Sequence, residues 1–338
     1  MGKIRKGFTI SRKTELIVSL VAAAVCIAVP FLGASQYILR TLTLIGIYGI
    51  MSLSLNITVG YAGQVNMGHA AFVAVGGYAY AIVTSNLATW NFWIALLFAG
   101  VVTAIAGLLV GVPTLRLNDV YFVIATTGFS EVVKVITLNW IDVTNGSLGI
   151  RNIMKPSILG FELTNSNGGM YLLTLALLAV TLYISWAVKN SKLGRSLFAL
   201  KDDELAAQLM GIKTGRQKIY AFILSSFLAG IAGVMYVALN SYVGPDTFTA
   251  DISTVILCIV IFGGLGSLKG MLIGSLLLIA FPEILRFLNL YKYIIYGLIL
   301  VVLMRFKPSG LFGSRSRRNY KLPKGVVLKG GKQTDETA

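Results

Sequence analysis

Residues 92–112 read FWIALLFAGVVTAIAGLLVGV, and from Phe92 to Val112 no side chain is ionisable. As a helix rising 1.5 Å per residue this run is about 31 Å long, enough to cross the hydrocarbon core of a bilayer with every backbone polar group satisfied internally. A helix at the edge of a soluble core needs a polar face, and this one has none, so it reads as a membrane span.

Similar runs lie on either side. Toward the N-terminus they fall near Leu16–Ala34, Tyr37–Val59 and Gly68–Ser85, and Val120–Leu138 follows Phe92–Val112. After a polar gap come Met170–Val188, Ile219–Val243, Ile252–Leu265, Met271–Leu288 and Tyr293–Arg305. The count is about ten, and Ile252–Leu265 is short enough to be tilted, broken or re-entrant. Over all 338 residues 56% are hydrophobic and 12% charged, with a mean hydropathy of +0.79, which excludes a soluble globular protein. The expected fold class is all-α, a polytopic transmembrane helical bundle.

The formal charge of +16 points to the membrane surface and not to nucleic acid, because its cations sit in particular places. With residues 1–15 placed inside, ten crossings put the Arg116 turn, the 189–218 loop, the Lys269 turn and the basic tail inside as well. These segments, with Arg305, hold 23 of the 29 Lys and Arg, the asymmetry of the positive-inside rule, and they suit anionic lipid. The basic start and the apolar Leu16–Gly33 run have the outline of a signal peptide, but the later spans favour an uncleaved first helix. The expected organisation is a cytoplasmic N-terminus over 1–15, a membrane domain over 16–306 with an external loop at about 139–169, and a basic cytoplasmic tail over 307–338. Hydrophilic stretches of about thirty residues cannot bury a core of their own, so function must reside among the helices and in two loops.

Catalytic apparatus is missing from the pattern. The Gly263-Gly264-Leu265-Gly266-Ser267-Leu268-Lys269-Gly270 stretch is glycine-rich but lacks the Walker A spacing and joins two spans, so a tight turn with close helix approach is the better reading. His69 is the sole histidine, and Cys26 and Cys258 lie apart in apolar runs, which leaves no metal site and no disulfide scaffold to expect. A non-enzyme that binds no cofactor is expected. Charges inside spans cost about 2.5–3.5 kcal/mol each at a helix centre, so Glu131 with Lys134 and Glu283 with Arg286 stand out. Each is an opposite pair at i, i+3, readable as a packing pair near the membrane edge or as an ion relay.

Two polar segments carry more information. Gly60-Tyr61-Ala62-Gly63-Gln64-Val65-Asn66-Met67-Gly68-His69-Ala70-Ala71-Phe72 places Gly, Gln, Asn and His between apolar runs. It is either a broken helix whose free backbone lines a path, with Gly63, Gln64, Asn66, Gly68 and His69 as candidates, or an ordinary turn that lets helices pack closely. The 191–212 stretch reads as a short helix capped by Asp202, with Asp203 and Glu204 at the positive end of its dipole, Gly211 closing it, and Leu205 and Leu209 on one face. It could lie on the membrane or dock a cytoplasmic partner.

The Gly60 to Phe72 segment and the Lys192 to Gly233 block, together with Asp119-Val120-Tyr121-Phe122, Thr144-Asn145-Gly146-Ser147-Leu148-Gly149-Ile150, Phe262-Gly263-Gly264-Leu265-Gly266 and the Arg305 to Gly313 ending, resemble the branched-chain amino acid ABC importer permeases of LivM type. The resemblance runs from about Tyr37 to Gly313. It implies a permease paired with a homologous second permease as a heterodimer, two ABC ATPase subunits that hydrolyse the ATP, and an extracytoplasmic substrate-binding protein, all at a bacterial plasma membrane with both termini cytoplasmic. It makes the 194–211 block the ATPase-coupling segment, with Gly194, Arg195, Asp202, Asp203, Glu204, Ala207 and Gly211 as its residues, and implies alternating access. Leu, Ile and Val are the default substrates, while close relatives serving urea, short amides or other amino acids look much the same. A stand-alone secondary transporter would need an ion-coupling network and no protruding helix, and a membrane enzyme would need clustered His, Asp or Cys.

Overall fold

The computed structural model describes residues 28–33, 35–86, 91–114, 119–158, 161–164 and 167–284, with scattered positions from 294 to 313. Its helices are α1 (Gln36–Asn56, extended by a wide π turn over Ile57–Tyr61), α2 (His69–Asn86), α3 (Phe92–Thr114), α4 (Asp119–Asn139) and α5 (Gly169–Asn190). Two short helices, α6 (Lys192–Asp202) and α7 (Glu204–Leu209), lead into α8 (Thr214–Asn240), α9 (Ala250–Gly263) and α10 (Leu268–Ile284). Among the described residues five helices are long and apolar enough to cross a membrane: Gln36–Tyr61, Phe92–Thr114, Val120–Asn139, Gly169–Asn190 and Thr214–Asn240. The chain is a multi-pass membrane protein of helical-bundle fold.

Eight of the expected spans correspond to these helices, within a few residues. Leu16–Ala34, apart from a 3-10 turn over Val29–Leu32, and most of Tyr293–Arg305 lie outside the described residues. The span expected from Ile219 begins five residues earlier, and the helix runs through Lys218, whose ammonium pairs with Glu204 at 2.7 Å. The short run near Ile252 is a 14-residue helix, about 21 Å long and unable to cross a 30 Å core.

The core is built around α8, which packs most extensively against α2 and α3. Small residues make the contact possible: a Cβ on Gly76 would lie 2.3 Å from the Gly230 Cα, and one on Gly107 would lie 2.4 Å from Ser226 Oγ. Without a hydrophobic driving force between helices in lipid, such close approach supplies the packing energy. Phe72, Phe122, Phe129 and Phe222 interlock α2, α4 and α8, with ring centroids 5.2–5.8 Å apart. Helix α1 is buried between α5, α8, α9 and α10.

On the side of the α4 and α8 C-termini, the 139–169 segment carries a single turn (Ile141–Thr144), a 3-10 turn (Gly146–Leu148) and three two-residue strands. Strand β1 (Ile150–Arg151) pairs antiparallel with β4 (Tyr242–Val243), and β2 (Ser157–Ile158) pairs with β3 (Phe161–Glu162). This places the Thr144–Ile150 motif over the end of α8.

Candidate functional site

At the opposite end the α6–α7 pair protrudes. The sequence suggests one helix capped by Asp202, and the structure corrects both points. Ser191 caps α6 by accepting from Gly194 N at 3.1 Å, and Asp203 caps α7 by accepting from Ala206 N at 3.0 Å. Asp202 is the last residue of α6 and still helical, whereas Asp203 has the extended backbone (φ −160°, ψ 113°) a cap requires. Gly194 allows the sharp α5–α6 corner, since a Cβ there would stand 2.2 Å from Val188 O. Arg195 donates to Asn190 O at 3.2 Å, Glu204 pairs with Lys218, Ala207 is buried, and Gly211 closes the pair at φ +84°. Leu205, Leu209 and Met210 are 72, 88 and 83% exposed, an apolar tip that the α6–α7 corner holds away from the bundle.

The 60–72 segment is a break within the bundle. Helix α1 ends in the π turn, residues 62–68 are non-helical, and α2 begins at His69. Met67 N and Gly68 both lie against Thr126, seven residues along α4 from Asp119 and so about 10 Å inside that helix's end. Gly63 takes φ +77°, Gln64 N donates to Thr58 O at 3.0 Å, Asn66 Oδ1 accepts from Gly68 N at 2.9 Å, and His69 Nε2 meets Ser54 Oγ at 2.7 Å. Gln64, Asn66 and His69 are all buried. The structure therefore brings the five expected residues together at one break and engages them with their own chain.

Sequence reasoning missed what crosses to that break. Lys201 Nζ, from α6, donates to Gly60 O at 2.8 Å, and Lys189 Nζ donates to Gly266 O at 2.8 Å. Asn56 Oδ1 accepts from Gly266 N at 2.9 Å, and the Tyr61 ring lies 5.2 Å from that of Phe198 on α6. The Lys201 head thus satisfies a carbonyl that the π turn at the end of α1 leaves free, and the Lys189 head one in the α9–α10 turn. Desolvation pulls the Lys201 ammonium below the ordinary lysine range. A second cap closes α9: Leu311 N and Phe312 N donate to Phe262 O and Gly263 O at 3.0 Å each, so the two glycine-bearing motifs of the sequence meet.

The in-span charges also pair differently from expectation. Lys134 bonds Asp246 at 2.9 Å in place of Glu131, because the β4–α9 connection brings an acid across the helix axis. Glu283 accepts from the Tyr37 hydroxyl, and Arg286 lies outside the described residues.

The amino-acid sequence of this chain is similar to those of known proteins. High-affinity branched-chain amino acid transport system permease protein LivM of Escherichia coli (strain K12) is 33% identical over 95% of this chain and 79% of its own length. A probable branched-chain amino acid transport permease protein LivM of Methanocaldococcus jannaschii is 26% identical over 79% of this chain and 90% of its own. The permease protein LivH of Escherichia coli (strain K12) is 25% identical over 84% and 96%. A family profile described as branched-chain amino acid transport system / permease component matches residues 37–304. The chain belongs to that family of membrane transport permeases.

Proposed function

We propose that the chain is the permease subunit of an ATP-driven importer of branched-chain amino acids, moving substrate by alternating access in a bacterial plasma membrane with both termini cytoplasmic. The observation that carries this reading is the apolar tip of α7, which no described part of the chain covers. A surface of that kind suits the cleft of a separate ATPase subunit, two copies of which would serve two permeases. Similarity to both LivM and LivH supports a homologous second permease, and an extracytoplasmic binding protein would deliver substrate at the β1–β4 end. ATP hydrolysis then belongs to the partner.

Within this reading the α6–α7 pair is the lever and the break is its target. A displacement of α6 reaches residues 60–63 directly through Lys201 and Phe198. Gln64, Asn66 and His69 shape the path by fixing the break, and their own-chain bonds favour that role over direct substrate contact. The test is reconstitution of this chain with its encoded neighbours in liposomes, following binding-protein-dependent uptake of labelled leucine. Uptake that needs ATP and vanishes when residues 202–211 are swapped in a still-folded chain supports the proposal. ATP-independent uptake by this chain alone would replace it with a secondary transporter.

A further inference from the structure

Helix α4 carries a carboxylate within its apolar span, Val120–Asn139. Glu131 lies on the 21-residue Asp119–Asn139 helix, about 12 Å of helix from its Asn139 end and about 18 Å from Asp119. It is exposed on the chain. Lys134, one turn on, is taken by Asp246, and among the described residues Glu131 forms no ion pair. One turn before it, a Cβ added at Gly128 would meet nothing within 4 Å, so the described chain leaves that flank of α4 uncovered.

Charged groups at hydrocarbon depth face a bundle interior or a water-filled passage, not acyl chains. The rest of that helix face shows what the passage would admit. Ile124, Val135 and Leu138 are 62, 54 and 42% exposed, and helical spacing puts them on the same side as Glu131. Aliphatic side chains beside a carboxylate whose neighbouring cation, Lys134, is held by Asp246 complement a molecule with an aliphatic body and an ammonium group. Resting on the importer reading above, we propose that Glu131 is a substrate-contact residue of the translocation path, accepting the α-ammonium of a zwitterionic aliphatic amino acid.

The test uses the whole transporter in proteoliposomes. Glu131→Gln keeps the size and removes the charge. Losing a charge-assisted bond is expected to lower leucine uptake per ATP hydrolysed by about tenfold or more. Uptake should fall further than the hydrolysis stimulated by the loaded binding protein, and Glu131→Asp should recover part of the uptake. Unchanged uptake, or uptake and hydrolysis falling in proportion as for a packing residue or a contact with the second permease, overturns the proposal. A second measurement places Glu131→Cys in a Cys26→Ser, Cys258→Ser chain and treats the assembled complex with a membrane-impermeant thiol reagent. Labelling that slows when leucine-loaded binding protein is added supports a path position, and absence of labelling overturns it. If the wild-type complex takes up no leucine, the substrate reading falls by itself, while thiol accessibility still decides whether Glu131 faces water.

Discussion

Adjacent aspartates at 202 and 203 have different work although nothing in their chemistry separates them. Asp203 alone has the extended backbone and the bond to Ala206 N, so Asp203→Ala removes a helix cap worth about 1 kcal/mol while Asp202→Ala removes none. Amide exchange over 204–210 should quicken about fivefold in the first variant and stay at the wild-type rate in the second. Equal effects from both would refute the assignment. The sequence shows that a cap belongs near this point, but which aspartate serves depends on where α6 stops. That stop follows from how its buried face, Leu197 and Leu200, seats on the bundle.

Element by element, the spans were the most legible part, because twenty apolar residues in a row have few other uses. The 60–72 break was legible as an interruption, from its glycines and amides, but its depth was not. Depth is set by Thr126 and Ser253, the latter accepting from Ala70 N at 2.9 Å, which are remote in sequence and ordinary in composition. The same holds for Lys201, which reads as one more cation of an inside loop until its ammonium is seen on Gly60 O. Cutting that tie with Lys201→Met should leave the complex assembled and hydrolysing ATP while leucine uptake falls about fivefold or more, the effect of one charge-assisted bond. Comparing both rates in one vesicle preparation checks this, and a proportional fall in the two would show that the tie serves folding instead.

For the whole molecule, the division is between the exposed apolar flanks of the spans and the exposed apolar tip of α7. Leu205→Asp with Leu209→Asp should abolish co-purification of the ATPase while leaving the purified permease monodisperse and its melting temperature within a degree or two, since both side chains are exposed and support nothing beneath them. Retained co-purification would move the docking surface elsewhere. The capping of α9 by Leu311 and Phe312 bears on how the protein is made. The two carbonyls at the end of α9 are synthesised nearly fifty residues before the N–H groups that satisfy them, so the helix is made before its cap. A chain stopped at Phe306 would insert its helices and still present orphaned backbone to the membrane's quality-control proteases, and pulse-chase decay faster than that of a chain stopped at Gly313 is the expected sign.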